Sequence, residues 1–434
     1  MNEPNLTYLS REENKSLQEE AFIILDSFIK SSPLSIMNPK FDESVTNYIH
    51  SILSEQTSAL ILDKNLWTII DSAKQRFFKY VIPPRSYPNT FIRISCNKEK
   101  MQKKIEYIKN IPQPDQRTPE WYTFRHRYLT ASSAWKAFSS QSAQNQLIYG
   151  KCCPLDVNKY KRCDLSSPMH HGNKYEPVSI MYYEKFYKTL VSDFGCIPHG
   201  THDFLAASPD GINTDINSEL YGRMLEVKNI VNREINGIPK FEYWIQMQLQ
   251  MEACDLNECD FLETRFNEYE TKEAFDLDGT FTHTADNKLK GIIMYFSEND
   301  NPIYEYYKLS GSEAEFKEWE KIMLEKHENK LWMKNLYWRL DTISCVLVLR
   351  NKLWFENALP VLKNLWDTIQ AEKNGDFSHR APKKRPKPGP FSEFKPSKCY
   401  VNLNMSDKPP NPVKLPVKNN TIINITTEKL IQNS

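Results

Sequence analysis

The stretch "AASPDGINTDINSELYGRMLEVKN", residues 206–229, is the most informative part of this chain. A proline precedes Asp210, and "LEVK" places Glu226 and Lys228 two positions apart in a segment that reads as a strand. Successive side chains of a strand point to opposite faces, so these two share a face, about 6.6 Å apart, while Val227 packs into the sheet. The pattern predicts an acidic pair with a lysine beside it, held by a turn and a strand.

This arrangement suits metal-dependent cleavage of a phosphodiester. Such hydrolysis needs a metal that neutralises the phosphate and makes water nucleophilic near neutral pH. Mg²⁺ prefers oxygen ligands and usually takes one or two carboxylates, with waters and substrate oxygens completing the shell. Asp210 and Glu226 would supply the carboxylates, and the Val227 carbonyl edge could reach the metal. Lys228 would orient or deprotonate the attacking water, and a bound cation would lower its pKa.

Four further polar residues stand out on helices. Glu176 shares a face with apolar residues four, seven and eleven positions later, which predicts a further acid at the metal centre or a side chain that reaches solvent. Arg125 repeats this anomaly in the preceding helix, and Ser132 begins another helix, so both suit a bound phosphate. Gln246 lies between two apolar arcs of its helix, which indicates structural hydrogen bonding or contact with DNA or a catalytic water.

Composition and periodicity divide the chain into four parts. Residues 1–112 carry helical patterning without candidate chemistry and are interpreted as a helical accessory region. Residues 113–312 alternate helix-like and strand-like segments, which predicts an α/β core with a mixed β-sheet flanked by helices. Residues 313–376 return to a helical pattern, as a C-terminal extension. Residues 377–434 are basic and proline-rich, and we expect a disordered tail in which "KKRPKP" is an import signal or a phosphate binder.

The overall composition limits partners and compartment. A net charge of +1 gives no general attraction to nucleic acid, so a DNA-binding surface must come from local clustering. The N-terminal residues lack the basic and apolar regions of a secretion signal, and the longest apolar run, "ISCVLVL", is far shorter than the roughly 20 residues of a membrane span. Nine scattered cysteines fit a reducing compartment. We therefore expect a protein that is neither secreted nor membrane-embedded.

Five ordered motifs resemble the lambda-type exonucleases, also called the YqaJ-like viral recombinases, within the PD-(D/E)xK nucleases. They fall within about residues 118–260 and read "RHRYLTAS", "HGNKYEP", "ASPDG", "LEVK" and "YWIQMQLQM". The resemblance implies a restriction-endonuclease-like core in which Lys228 is catalytic. It implies that Mg²⁺, which Mn²⁺ can replace, is held or assisted by Asp210, Glu226, Glu176 and the carbonyl of Val227. It implies that the phosphate and the 5′ end of the strand are engaged by Arg125, Ser132 and Gln246.

The resembled family also implies a substrate and partners. Its members degrade one strand of linear duplex DNA from the 5′ end and leave a 3′ single strand for an annealing partner, and some close into a trimeric ring. We therefore expect a Mg²⁺-dependent exonuclease of recombination or repair that acts on double-stranded DNA ends, with an annealing protein as partner. Arg127 and the two long extensions depart from the family pattern, which leaves a homo-oligomer open.

Long versions of such proteins occur in large DNA viruses, so the implied compartment is the host cytoplasm, in a viral factory, or the nucleus. Two other functions stay open. A structure-specific endonuclease or an RNA-degrading nuclease would use the same chemistry on another substrate. A DNA-binding protein on a decayed nuclease fold would use none, although Asp210, Glu226 and Lys228 are all present.

Overall fold

Helices form both ends of the described chain and flank its sheet. The computed structural model describes residues 9–56, 63–88, 97–156 and 164–382. The helices within these ranges are α1 (Arg11–Ser31), α2 (Phe41–Gln56), α3 (Asp63–Tyr80), α4 (Lys98–Asn110), α5 (Pro119–His126), α6 (Ala131–Ala134), α7 (Gln141–Cys152), α8 (Pro168–Tyr187), α9 (Phe241–Cys254), α10 (Lys272–Leu277), α11 (Glu313–Lys326) and α12 (Lys352–Lys373).

Polar residues fix where several of these helices begin. The Thr118 hydroxyl accepts a hydrogen bond from the Trp121 amide, and Pro119 follows at the first helical position of α5. Proline suits that position because its missing N–H would have had no helical partner. Ser10 and Glu13 form a reciprocal capping box at the start of α1. Helix α5, which carries Arg125, therefore begins at Pro119.

The strands form two sheets. Their bounds are β1 (Tyr87–Pro88), β2 (Leu129–Thr130), β3 (Val191–Ser192), β4 (Ile197–Pro198), β5 (Leu205–Ala207), β6 (Gly211–Asn213), β7 (Met224–Asn229), β8 (Glu258–Glu268), β9 (Lys290–Glu298), β10 (Asn301–Tyr306) and β11 (Leu331–Leu349). The larger sheet has the order β10-β9-β11-β8-β7-β6-β3, with β1 paired to β11, and the smaller one has the order β2-β5-β4. In the larger sheet, β7 and β8 run parallel and the other pairs are antiparallel. The predicted mixed sheet flanked by helices is confirmed.

Strand β11 corrects the predicted boundary of the core. Residues 313–376 were expected to form a helical extension, yet β11 spans Leu331–Leu349 and pairs with both β8 and β9 inside the larger sheet. Its buried half reads "CVLVL", and those side chains are packed on both faces, as in a strand with neighbours above and below. The core therefore includes residues beyond 312, and only α11 and α12 fit the helical expectation.

The helices before residue 112 share one hydrophobic core with the sheet. Phe77 of α3 and Trp244 of α9 belong to the same buried cluster, and the Trp244 indole donates a hydrogen bond to the Arg85 carbonyl at 2.9 Å. The described residues all lie in one compact unit. The mainly helical character expected for residues 1–112 agrees with α1 to α4, but these helices are packed as part of the core.

The proposed tail lies mostly outside the described residues. Residues 377–382 are described, and there Arg380 forms an ion pair with Glu372 on α12 and donates a hydrogen bond to Asn145 on α7. These contacts place Arg380 on the folded unit. The remainder of the predicted tail, residues 383–434 with its basic motif, lies outside the described ranges.

Among the described residues, every helix is too short or too polar to cross a bilayer.

Candidate active site

The turn between β5 and β6 carries the first acid. Asp210 follows Ser208 and Pro209 in this turn, and its Oδ2 accepts a hydrogen bond from the Val227 amide at 2.8 Å. That bond ties the turn to β7, the strand of the second acid. Val227 itself is buried, 5% exposed, and packs into the sheet as the alternation predicts.

Strand β7 carries Glu226 and Lys228 on one face. The Glu226 side chain is completely buried, and its Oε1 accepts a hydrogen bond from the Lys228 ammonium. Gln246 of α9 donates to the same oxygen at 2.7 Å, and Gln250 of α9 donates to Oε2 at 2.7 Å. The predicted shared face is confirmed, and a buried carboxylate with three donors meets the general requirement that buried polar groups be paired.

Electrostatic coupling links the acids. Burial and the neighbouring carboxylate of Asp210 raise the pKa of Glu226 to about 7, against the opposing effect of Lys228. Burial alone would lower the pKa of Lys228, but the carboxylates of Glu226 and Asp210 raise it above its ordinary value. The lysine is therefore a charged donor to Glu226. A cation placed between the acids would oppose both effects, as expected from the sequence.

Glu176 reaches this centre from α8. Burial and Asp210 raise its pKa to about 7, while Arg117 and Lys228 oppose the rise. Both oxygens of Glu176 accept hydrogen bonds from Arg117 Nη2 at 2.7 Å. The structure thus brings Glu176 near the acidic pair, as predicted, but its direct partner is a guanidinium. Its role towards a metal stays a prediction.

Arg125 and Ser132 meet beside the Asp210 turn. Arg125 Nη2 donates to the Ser132 hydroxyl at 2.7 Å, and Nη1 donates to the Ser208 hydroxyl at 3.3 Å. The guanidinium also lies over the Trp121 ring, 4.0 Å from its centroid. Three side chains therefore hold the guanidinium near Asp210, which agrees with the two predicted phosphate residues lying together. Their contact with a phosphate stays a prediction.

Gln246 of α9 contacts the acidic pair directly. Its residue exposure is 9%, and its amide donates to Glu226 Oε1. The expectation that an amide here is inside the domain and needs partners is confirmed. The observed partner is the carboxylate of Glu226, and the predicted contact of Gln246 with a DNA phosphate stays a prediction.

The donor set fits a hard divalent cation. Asp210 and Glu226 are two carboxylates near enough to raise a pKa, and their mutual repulsion would be relieved by a positive ion. Within the described ranges, no group of three or more His, Cys, Asp or Glu side chains is set to hold a metal ion. Mg²⁺ commonly takes only one or two carboxylates, with water and substrate oxygens as the other ligands, so two acids meet the requirement.

Three residues of the site gave little signal in the sequence. Gln250 shares the position of Gln246 between apolar arcs, so the same pattern could have assigned it to the site. Gln116 donates hydrogen bonds to the Phe194 carbonyl at 2.8 Å and to the Pro209 carbonyl at 3.0 Å, next to Asp210. Gln116 and Arg117 lie in a loop, where no periodicity marks a residue as functional.

Comparisons with known proteins agree with this site. Residues 120–257 match the YqaJ-like viral recombinase domain. An uncharacterized protein of Acanthamoeba polyphaga mimivirus is 30% identical over 307 residues, which cover 61% of this chain and 54% of that protein. The chain thus spans about half the length of this relative.

Solved structures give weaker likenesses. The crystal structure of an alkaline exonuclease from Laribacter hongkongensis and that of its complex with dAMP are 16% and 17% identical to this chain. Each alignment covers 59% of this chain and 94% of the other, with a TM-score of 0.34.

The matched segment contains both acids and the lysine of the candidate centre. It begins in α5 and runs past the end of α9, so it includes Asp210, Glu226 and Lys228 together with Glu176 and Arg125. The family match and the geometry therefore fall on the same residues. The match to the YqaJ-like viral recombinase domain over residues 120–257 agrees with the resemblance seen in the motifs.

Proposed function

We propose that this protein is a Mg²⁺-dependent DNA exonuclease that degrades one strand of linear duplex DNA from the 5′ end. The observation that carries the proposal is the joining of Asp210, Glu226 and Lys228 in one cluster at β7, within the segment that matches the YqaJ-like viral recombinase domain. Its product would be a 3′ single strand for recombination or repair. A viral relative supports action on viral DNA, in the host cytoplasm or nucleus.

The acids and the lysine have separate tasks in this proposal. Asp210 and Glu226 would hold Mg²⁺, or Mn²⁺ in its place, together with the Val227 carbonyl and with help from Glu176. The ion supplies charge neutralisation at the phosphate and lowers the pKa of water. Lys228, which already donates to Glu226, is placed to orient the attacking water and to receive or return its proton.

Gln246 and Gln250 keep the buried carboxylate in place. Each donates at 2.7 Å to a different oxygen of Glu226, so the carboxylate plane is fixed before substrate arrives. Preorganised polar groups need no rearrangement at the moment of reaction, which is the larger part of electrostatic catalysis. The burial of Glu226 excludes bulk water from one side of the site.

Arg125 and Ser132 would bind the terminal 5′ phosphate. The Arg125 guanidinium is held by Trp121 and two hydroxyls, and a guanidinium matches the geometry of a phosphate. Such a site next to Asp210 would set the polarity of degradation. Double-stranded DNA ends are therefore the proposed substrate, and a single-strand annealing protein the proposed partner. A homo-oligomer stays a prediction from the resembled family.

Digestion of two DNA forms tests this function. A linear duplex with one 5′-phosphorylated, end-labelled strand and a covalently closed circle would be incubated with the full chain in Mg²⁺, in Mn²⁺ and in EDTA. We expect loss of the label from the 5′ end with either metal, an intact circle, and no cleavage in EDTA or by Lys228→Ala.

Other outcomes favour the other functions. Cleavage of the circle would identify an endonuclease. DNA binding without cleavage under any metal condition would identify a binding protein on a nuclease fold. Degradation of RNA in preference to either DNA would identify a ribonuclease.

A further inference from the structure

Arg117 has an unusual backbone conformation at the rim of the site. Its φ is +67°, in the left-handed region that side chains other than glycine rarely adopt. Strained conformations persist where the surrounding structure determines them, and they cluster at functional sites. The contacts around Arg117 therefore hold its backbone in this conformation.

The loop that carries Arg117 is anchored to the acidic turn. Gln116 donates to the Pro209 carbonyl, which directly precedes Asp210, and to the Phe194 carbonyl. Thr118 caps α5 on the other side of Arg117. The backbone of Arg117 is thus fixed between two anchors, one of which belongs to the catalytic centre.

The Arg117 side chain is engaged by Glu176 but stays open to solvent. Nη2 donates to both oxygens of Glu176 at 2.7 Å, and the side chain is 44% exposed. In the ion pair with Glu176, both hydrogen bonds come from Nη2 of Arg117. The strongest pairing of a guanidinium with an oxyanion instead uses two parallel N–H groups on different nitrogen atoms. The guanidinium of Arg117 therefore still has N–H groups with which it can bind a second anion arriving from solvent.

Two guanidinium groups flank the turn that carries Asp210. Arg125 contacts Ser208 on one side, while Arg117 is joined through Gln116 to Pro209 and through its side chain to Glu176. Arg125 is occupied by two hydroxyls and an aromatic ring, and Arg117 is occupied by one carboxylate. DNA presents a regular series of phosphates, so two cations at one acidic centre fit two phosphates of one strand.

We propose that Arg117 binds a backbone phosphate of DNA, other than the one held by Arg125, and exchanges Glu176 for that phosphate when DNA enters. The exchange leaves the Glu176 carboxylate free to face the metal centre. No covalent change is involved, since one ion pair replaces another. This inference rests on the proposed function, because it requires DNA at the site.

Equilibrium DNA binding in EDTA tests the exchange without cleavage. The probe is a 5′-phosphorylated duplex oligonucleotide, titrated at several salt concentrations with the wild type, Arg117→Ala, Glu176→Gln and the double variant. We expect Arg117→Ala to weaken binding about tenfold in both the wild-type and the Glu176→Gln backgrounds. The slope of log K against log salt should fall by about one, as for the loss of one phosphate contact.

The double variant separates a phosphate contact from a simple counter-ion. If Arg117 only neutralises Glu176, its removal changes nothing once Glu176 is glutamine, and the inference is overturned. Arg76→Ala is the matched control, since Arg76 is 41% exposed and pairs with Glu19 through Nη2 at 2.6 Å far from the acids in sequence. We expect Arg76→Ala to leave both the affinity and the salt slope unchanged.

Two further variants guard against misfolding. Arg117→Gly suits a positive φ and lacks the guanidinium, so it should lose DNA affinity without loss of thermal stability. Arg117→Lys keeps the charge without the fork and should bind with intermediate affinity. Normal binding by Arg117→Gly in a protein that cleaves DNA would overturn this inference alone. Failure of the wild type to bind or cleave DNA would overturn the proposed function with it.

Discussion

The carboxylate of Asp210 accepts a hydrogen bond from the amide of Val227 at 2.8 Å, so the first acid of the centre is tied to the strand that carries the second. This bond sets the distance between two parts of the chain that are well separated in sequence. It also uses one carboxylate oxygen and leaves the other for a ligand, since each carboxylate has two.

Asp210→Asn removes the negative charge of this side chain but keeps its size and shape. Asparagine keeps an oxygen for the Val227 amide, so we expect a folded protein, but the loss of one anionic ligand should lower the cleavage rate by at least about 100-fold. Rates on linear duplex DNA in Mg²⁺, with thermal unfolding of both proteins, check this. A variant that folds and cleaves within a few-fold of the wild type would remove Asp210 from the metal centre.

Lys228→Met should disable cleavage while sparing DNA binding. The ammonium is the donor to Glu226 Oε1 and the only proposed proton carrier of the site, and such groups contribute about 10²- to 10⁴-fold to rates. Single-turnover cleavage and binding in EDTA would be measured together. Lys326→Met is the control, because Lys326 also pairs with a glutamate, Glu305, on the surface. Equal losses in the two variants would argue against a catalytic Lys228.

Gln250→Leu should weaken metal binding, because Gln250 holds the carboxylate of Glu226 in place. The amide donates to Glu226 Oε2 and to the Ser208 carbonyl, and its loss should lower the free energy of unfolding by about 1–3 kcal/mol. Calorimetric titration with Mg²⁺ or Mn²⁺ measures the affinity. Gln248→Leu on the same helix loses bonds to the Leu349 carbonyl and the Asn351 amide, so it should lose stability with unchanged metal affinity. If the two variants bind Mg²⁺ or Mn²⁺ with equal affinity, Gln250 has no specific role in metal binding.

His199 should make the protein less stable in mild acid. Its Nδ1 accepts hydrogen bonds from the amides of Thr201 and His202, and burial, followed by His202 and Arg350, lowers its pKa to about 4. The ordinary value is 6.5, so between pH 4 and 6.5 the unfolded chain binds more protons than the folded one. The free energy of unfolding should therefore fall as the pH drops through this window, by up to about 2 kcal/mol after allowance for partial exposure.

His199→Asn tests that assignment. Asparagine can accept from the same amides but does not titrate, so the difference in pH slope between this variant and the wild type isolates the imidazole. Urea unfolding at pH 4, 5, 6 and 7 provides the slopes. If the free energy of unfolding depends on pH in the same way in both proteins, a group other than His199 causes the acid sensitivity.

The helices before residue 112 should unfold together with the catalytic sheet. Phe77 of α3 is fully buried in the cluster that also contains Trp244 of α9, so Phe77→Ala should lower the free energy of unfolding by about 3–5 kcal/mol. Phe186→Ala, at a phenylalanine that is 61% exposed, should change it by less than about 1 kcal/mol. Far-ultraviolet circular dichroism and loss of nuclease activity should report one midpoint for each protein. Two separate midpoints would make the helices an independent domain.

Local sequence patterns predicted the strand and the helix that carry the candidate site. Helix α9 spans Phe241–Cys254, as its periodicity indicated, and β7 contains Glu226 and Lys228 on one face. These signals depend on neighbours within a few positions, which is where periodicity carries information. The acidic pair could therefore be placed before any three-dimensional contact was known.

Long-range pairing was the part the sequence did not reveal. The aromatic residues of β11 were interpreted as helical, although Trp338 is buried between strands and Trp332 is 46% exposed near one end. Arg117 gave no signal, because a positive φ at an arginine is set by its anchors and not by its own preference. The bond from Gln246 to Glu226 depends on how α9 packs against β7, so the partner of a buried amide could not be named from spacing.

The position of β11 in the sheet determines when the candidate site can first be assembled during synthesis. Strand β8 lies between β7 and β11, so the sheet around Lys228 is completed by residues that leave the ribosome about a hundred positions later. At roughly 5–20 residues per second, translation needs about 5–20 s to cover that distance. The acidic pair of a nascent chain therefore leaves the ribosome well before β11 is available to complete the sheet, so the site around Lys228 reaches its final packing only when most of the protein has been made.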